Sequence, residues 1–286
     1  MKIAIVGGAG GMGKWLVNHF LEIGHTVIVA DPNANRVISG VELIPNNAAA
    51  ASKADVVVVS VPMEETASVI REVSPHMREN AILCEISTLK SNTIDDLRKV
   101  ALGNIRPLSI HPLFGPGASD LKKRYALIPV YDSHEEKNIA ESLFPESQII
   151  VVEADIHDRI MALTLSLPYF MNMIFASVLK DEDISLMQQL SGTTFAVQFM
   201  LTGSIMSHTS EFHRTLHREN AYFTEILQKL LAKTTEEVKR LNSDIEGFEK
   251  SYRNIKSSLE EKLSLEDKYK EMYRVLKVME EEGLKS

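Results

Sequence analysis

Residues 2–13 read Lys2-Ile3-Ala4-Ile5-Val6-Gly7-Gly8-Ala9-Gly10-Gly11-Met12-Gly13 and run into Lys14–Ile23, whose apolar spacing predicts a helix. Strand, glycine loop, then helix is the context in which Gly8, Gly10 and Gly13 form the G-x-G-x-x-G fingerprint of a dinucleotide site. In this motif Gly8 permits the tight turn, Gly10 lets the backbone approach a pyrophosphate, and Gly13 lets helix and strand pack closely. Gly11 and Met12 fill the positions between, where phosphates meet free N–H groups and the positive end of the helix dipole. Asp31 closes the next strand and is placed to accept hydrogen bonds from the adenosine ribose hydroxyls. A 2′-phosphate would be repelled there, so NAD is expected over NADP, with Arg36 near enough to soften the preference. Ser60, Val61 and Pro62, where the third core strand ends, complete the expected cofactor contacts.

Outward from that loop, Val/Ile-rich runs alternate with helix-length segments: Lys2–Val6, Thr26–Ala30, Asp55–Val61, Ala81–Ile86, Ile105–Ile110, Tyr125–Val130 and Gln148–Val152. Continuous apolar strands belong to a sheet covered on both faces, and helical crossovers make it mainly parallel and doubly wound. The expected fold class is α/β, a Rossmann-type sheet followed by an all-α dimerisation domain. Ser133-His134-Glu135-Glu136 reads as a capping box ahead of the last strand. The boundary is expected near Glu153, giving domains 1–152 and 153–286.

All ten prolines lie at or before Pro168 and ten of the fourteen glycines at or before Gly117, so the second half should be mostly helix. It opens with two apolar stretches, Ile160–Leu179 and Phe195–Met206; six of the twelve methionines lie between Met161 and Met206. Ile160–Leu179 meets the length criterion for a membrane span. Thr164, Ser166, Pro168, Tyr169, Asn172 and Ser177 interrupt it, no basic loop flanks it, and a buried helix is expected instead. Met-rich helices with little polar surface need a partner, and a second copy of the chain, an intertwined homodimer, is the simplest.

From Arg218 onward, fourteen basic and fifteen acidic residues surround an apolar stripe at Val238, Leu241, Ile245, Phe248, Tyr252, Ile255 and Leu259. The spacing is heptad-like over about three repeats and predicts one long amphipathic helix, packed as an arm against its own dimer. Ser264 with Asp267 starts a last helix, and Gly283 stops it.

The whole chain of 286 residues is 44% hydrophobic with a net charge of −8, which fits a globular protein and argues against a nucleic-acid surface. A single cysteine, Cys84, excludes an internal disulfide and reads as a buried strand residue. The N-terminal apolar run is too short for a signal peptide, and a cytoplasmic protein is expected.

Chemistry is expected at the carboxyl ends of the strands. Two polar clusters fall there, Glu85-Ile86-Ser87-Thr88-Leu89-Lys90 and His111-Pro112-Leu113-Phe114-Gly115-Pro116. An imidazole titrates near ~6.5 when unperturbed, which suits proton transfer at neutrality, and a hydroxyl of Ser87 or Thr88 could orient it.

These residues resemble the prephenate/arogenate dehydrogenase family of tyrosine biosynthesis. The resemblance rests on the Gly8–Gly13 loop with Met12, Thr88-x-Lys90, His111-Pro112-Leu113-Phe114-Gly115-Pro116, and His157-Asp158 at the start of the helical half. Ser191-Gly192-Thr193-Thr194-Phe195 is similar to archaeal members. The resemblance covers about residues 1–230 and implies NAD-dependent oxidative decarboxylation of prephenate to 4-hydroxyphenylpyruvate. It implies that His111 accepts the proton or hydrogen bond of the ring hydroxyl, with Thr88 rather than Ser87 assisting. The arginine that binds a substrate carboxylate in bacterial members aligns near Ala196, so Thr193, Thr194, Gln198, Arg214 or the Lys122-Lys123-Arg124 run must replace it. Burying a carboxylate without such donors is costly.

Two other readings stay open: a β-hydroxyacid dehydrogenase or imine reductase, and a non-catalytic dinucleotide sensor. The first draws a catalytic lysine from the helical region, where Lys180 is the only lysine between Ile160 and Met206. His208, His213 and His217 lack an H-E-x-x-H pattern and are expected at a surface or interface, with no metal. His157-Asp158 is weighed as a junction cap or as a dyad near the cofactor.

Overall fold

The computed structural model describes residues 1–33, 40–118 and 121–281. Arg36 and Gly283 lie outside them. Two compact units form, Met1–Met161 with Arg218–Ala221, and Ala162–His217 with Tyr222–Ser286. The first unit thus extends past Glu153, because the helix after that residue is bonded into the sheet layer through His157 and Asp158.

The strands are β1 (Lys2–Val6), β2 (Thr26–Ala30), β3 (Glu42–Leu43), β4 (Val56–Val59), β5 (Ile82–Glu85), β6 (Arg106–Pro112), β7 (Arg124–Ile128) and β8 (Gln148–Val151). The helices between them are α1 (Gly11–Glu22), α2 (Asn47–Ala51), α3 (Met63–Val73), α4 (Ile94–Ala101) and α5 (Ser133–Leu143), with α6 (Ala154–Met161) following. The sheet order is β3-β2-β1-β4-β5-β6-β7-β8. Side chains alternate across a strand. Accordingly Ile3, Ile5 and Val58 pack with Phe20 and Tyr125 on one face, while Ala4, Val57 and Val59 pack with Ile70 and Leu97 on the other. Both faces of the central strands are buried, as their apolar runs require, whereas the edge strands β3 and β8 are largely exposed, so the two-sided cover expected for Gln148–Val152 is not seen.

Three other details depart from expectation. β6 and β7 pair antiparallel, Ser109 opposite Ile128 and Pro112 opposite Tyr125. The edge strand β3 is two residues long, too short to leave a periodic signal. The cap of α5 is Asp132, which accepts from the N–H groups of His134 and Glu135. Glu136 instead folds back to accept from the N–H groups of Val130, Tyr131 and Asp132, so the capping box at Ser133 does not form.

The second unit begins with a π-helical turn, Ala162–Ser166, and α7 (Leu167–Leu179). Then come α8 (Ile184–Leu190), α9 (Thr193–Met206), α10 (Ser210–Arg218), α11 (Phe223–Ser243), α12 (Ile245–Glu260) and α13 (Leu265–Glu281). The helical run Ala154–Leu179 is long and apolar enough to cross a membrane by length and composition. Its early turns nevertheless carry Asp155, His157, Asp158 and Arg159. The buried helix expected here is not seen within one chain: in α7 only Asn172 is buried. Asn172 Oδ1 accepts from Gln198 Nε2 at 2.6 Å and Thr202 Oγ1 at 2.7 Å, a polar pin between α7 and α9. Met171, Ile174, Val178, Met200 and Leu201 remain exposed.

The single long helix predicted over Val238–Leu259 is broken. Asp244 leaves helical geometry (φ −152°, ψ 74°), and its carboxylate caps α12 by accepting from Gly247 N at 3.0 Å. The heptad spacing survives across the break, but its two ends lie on different helices.

Candidate active site

The loop after β1 turns at Gly7, whose φ of +87° falls in the left-handed region. A Cβ there would stand 2.4 Å from Ser60 O, so the turn belongs to Gly7 rather than to Gly8, as expected from the motif. Gly8 packs against Val29, and a Cβ on Gly13 would lie 2.1 Å from Gly7 O, which fixes the helix against the strand. Gly10 has room for a Cβ, with Gly7 O at 3.4 Å, and is the N-cap of α1 with no side-chain cap. Uncapped N–H groups of the first turn are therefore left for a ligand.

That turn opens on a cavity of about 570 Å³ lined by Gly7, Gly10, Asp31, Ser60, Val61 and Pro62 among others. Asp31 is buried; its Oδ2 accepts from Ala9 N at 2.9 Å and its Oδ1 from Asn33 N at 2.7 Å. The carboxylate is thereby held at the end of β2 beside the glycine loop. Gly8, Gly11, Met12 and Gly13 shape this loop without lining the cavity. Lys14 and Asn47 line it and were not anticipated. Lys14 adds a cation at the helix N-terminus, and its signal was its place one residue after the fingerprint.

At the end of β5 the sequence Glu85-Ile86-Ser87-Thr88-Leu89-Lys90 folds around a buried ion pair. Lys90 and Glu85 are fully buried, with Lys90 Nζ donating to Glu85 Oε1 at 2.8 Å and to Ile110 O at 2.6 Å. Glu85 also accepts from Ser87 N at 2.7 Å and from Ser109 Oγ at 2.5 Å. Lys90, read from the sequence as part of a hydroxyl-x-Lys motif, is thus an internal strut between β5 and β6.

His111 is buried near the end of β6. Its Nδ1 lies 3.0 Å from His157 Nε2, and His157 Nδ1 lies 2.8 Å from Asp158 Oδ1. Asp158 also accepts from the N–H groups of Lys90 and Ser91. Asn220 donates to its carbonyl. The partner orienting His111 is therefore His157, not Ser87 or Thr88. His157-Asp158, weighed as a junction cap or as a dyad near the cofactor, is instead bonded to His111 and to the backbone of Lys90 and Ser91. Burial, then the charge of Lys90, hold His111 well below the usual imidazole range against the opposing pull of Asp158. His111 is neutral at pH 7. Burial alone raises the Asp158 carboxyl, but the hydrogen bonds from His157, Ser91 and Lys90 outweigh it and keep the group below the usual carboxylate range.

The residues expected to bind substrate lie in the second unit. Thr193 and Thr194 open α9, and Thr193 is hydrogen-bonded to Tyr273. Gln198 is engaged by Asn172 and Thr202, which weakens its candidacy. Arg214 is exposed on α10. His213, expected at a surface or interface, is buried within the chain and bonds Ile205 O, while His217 bonds Ser166 O. Among the described residues no three potential ligands gather as a metal site.

The fold and the loop define a Rossmann-type nucleotide-binding unit joined to a helical unit. Residues 20–135 match the family described as prephenate dehydrogenase, nucleotide-binding domain. The chain is 26% identical over 264 residues to a probable arogenate/prephenate dehydrogenase of Methanocaldococcus jannaschii, covering 87% of this chain and 59% of that protein. It is 21% identical over 260 residues to the T-protein of Haemophilus influenzae, covering 89% and 66%. The chain therefore spans about three fifths to two thirds of these relatives' lengths. An Aquifex aeolicus prephenate dehydrogenase, solved with hydroxyphenyl propionate and NAD+, superposes with a TM-score of 0.71 at 15% identity, covering 91% of this chain and 98% of that one. A Synechocystis arogenate dehydrogenase gives 0.66 at 16%, covering 92% and 100%. The chain is therefore similar to prephenate/arogenate dehydrogenases, with residues 20–135 matching the nucleotide-binding domain of that family.

Proposed function

We propose that the chain is an NAD-dependent dehydrogenase that oxidatively decarboxylates prephenate to 4-hydroxyphenylpyruvate in tyrosine biosynthesis, with arogenate the competing substrate. The observation that carries this is His111: buried, neutral and fixed through Nδ1, on the same strand-end edge of the sheet as the glycine loop. The cradle fits the cofactor. Gly10 leaves room for close approach, α1 has no side-chain cap, and Asp31 presents a fixed carboxylate to a ribose. NAD, when bound, accepts a hydride from the carbon bearing the ring hydroxyl. As that carbon is oxidised, the hydroxyl proton passes to His111; the electrons of the breaking C–CO2 bond enter the ring, and carbon dioxide leaves. A positioned acceptor is worth about 10²–10⁴-fold in rate at that oxygen.

Asp31 favours NAD over NADP, and Thr193, Thr194, Gln198 and Arg214 are the candidates for the substrate carboxylates. A second copy is the proposed cover for the exposed apolar residues of α7 and α9, which makes the protein a cytoplasmic homodimer in this reading. The rival that takes a catalytic lysine is disfavoured, since Lys180 is an exposed C-cap residue of α7 paired with Asp181. The test is absorbance of NADH on mixing the protein with NAD and prephenate, and separately with arogenate and with NADP. NADH from either acid supports the proposal. Tight NAD binding with no turnover on either would support the sensor instead.

A further inference from the structure

We infer that His157, anchored by Asp158, is a positioning residue for His111 and takes up the proton that His111 receives. The chemistry rests on the dehydrogenase proposal; the hydrogen-bond chain does not. A carboxylate only accepts, so the Asp158 contact at 2.8 Å places the proton of a neutral His157 on Nδ1. His157 Nε2 then carries a lone pair, and the 3.0 Å contact makes His111 Nδ1 the donor. In a neutral ring this leaves Nε2 of His111 unprotonated, and no hydrogen bond among the described residues engages it. The tautomer a general base needs is thus set from behind.

The same chain answers an electrostatic difficulty. The charged and titratable groups around His111 are Glu85 and Lys90 from β5 and its loop, and His157 and Asp158 from α6. β7 presents only Ala126 opposite it. Burial and the Lys90 ammonium both oppose a cation on His111. At His157 the same cation would sit 2.8 Å from a carboxylate that two backbone N–H groups keep in place. As hydride leaves the substrate, the hydroxyl proton moves to His111 Nε2 and the Nδ1 proton of His111 moves to His157 Nε2. When the ring becomes aromatic and its oxygen turns anionic, both protons return. The chain therefore ends each turnover as it began, and no proton is consumed.

The test combines ¹⁵N NMR of histidine-labelled protein with steady-state kinetics. The wild type should show His111 at pH 7.5 as the neutral Nδ1–H tautomer. His157→Gln keeps a carbonyl that accepts from His111 Nδ1 but cannot take up a proton. It should retain the tautomer and hold NAD affinity and substrate KM within about threefold while kcat falls about 10²-fold. His157→Phe should lose the tautomer too, with turnover partly restored by added imidazole. An Nε2–H tautomer in the wild type, or a His157→Gln kcat within about twofold of wild type, overturns the inference. If the wild type makes no NADH from prephenate or arogenate, the dehydrogenase reading fails. The hydrogen-bond chain is then judged alone: a His111 signal that shifts on Asp158→Asn upholds it, and one that does not overturns it.

Discussion

Lys90→Met isolates the strut on which the site is built. Methionine is unbranched and of similar length, so little cavity is opened and the loss is chiefly that of charge. The ammonium now satisfies Glu85 Oε1 at 2.8 Å and Ile110 O at 2.6 Å with both side chains fully buried. Without it, the Glu85 carboxylate keeps only Ser87 N and Ser109 Oγ as donors and stays inside the protein as an uncompensated charge. Breaking a buried pair in this way costs about 3–5 kcal/mol. That is on the order of 10 °C in melting temperature for a unit of this size. Trp15 is the only tryptophan and sits on α1, so its fluorescence in urea and on heating reports the first unit. Lys90→Met/Glu85→Gln should recover most of the loss, because the doubly neutral pair no longer buries a charge. A Lys90→Met loss under about 1 kcal/mol, or a double variant no better than the single one, would refute the assignment of Lys90 as a structural cation.

Other consequences can be checked with the same protein. Gly10→Ala should leave the melting temperature nearly unchanged yet weaken NAD binding, because its Cβ meets only Gly7 O at 3.4 Å and projects where the pyrophosphate must come; Gly13→Ala, at 2.1 Å from that oxygen, should damage both. Calorimetry against melting curves separates the two. Asp31→Asn should narrow the preference for NAD over NADP, since the fixed charge at Ala9 N and Asn33 N is gone; unchanged cofactor selectivity by titration would remove Asp31 from the ribose site. Buried and neutral, His111 binds fewer protons folded than unfolded, so its contribution to stability is lost as pH falls below the ordinary imidazole range. Between pH 7 and pH 5 the wild type should lose up to about 2 kcal/mol more than His111→Asn in urea titrations, and equal losses would contradict the buried neutral ring.

What the sequence displays and what it hides divide along physical lines. β1 and β2 were legible to the residue, because a strand buried on both faces must be apolar throughout. The direction of β7 was not, since burial looks the same in either orientation. Asp244 broke a heptad whose spacing alone suggested one helix. The turn chemistry of Asn242-Ser243-Asp244 with Gly247 three residues on was the signal available, and the stripe masked it. His111 could be found because a strand-end histidine fixed by proline stands out locally. Its partner could not be ranked, for His157 is remote in sequence and becomes informative only when the 3.0 Å contact is seen. Lys90 was legible only as part of the Thr88-x-Lys90 motif, since its burial against Glu85 is a tertiary fact.

In the proposed reaction His111 transfers the proton and does not hold the cofactor. The direct measurement pairs NADH formation with NAD binding in His111→Asn. Turnover should fall by at least about 10²-fold with NAD affinity within about twofold of wild type. Turnover retained, or affinity lost together with activity, would contradict it.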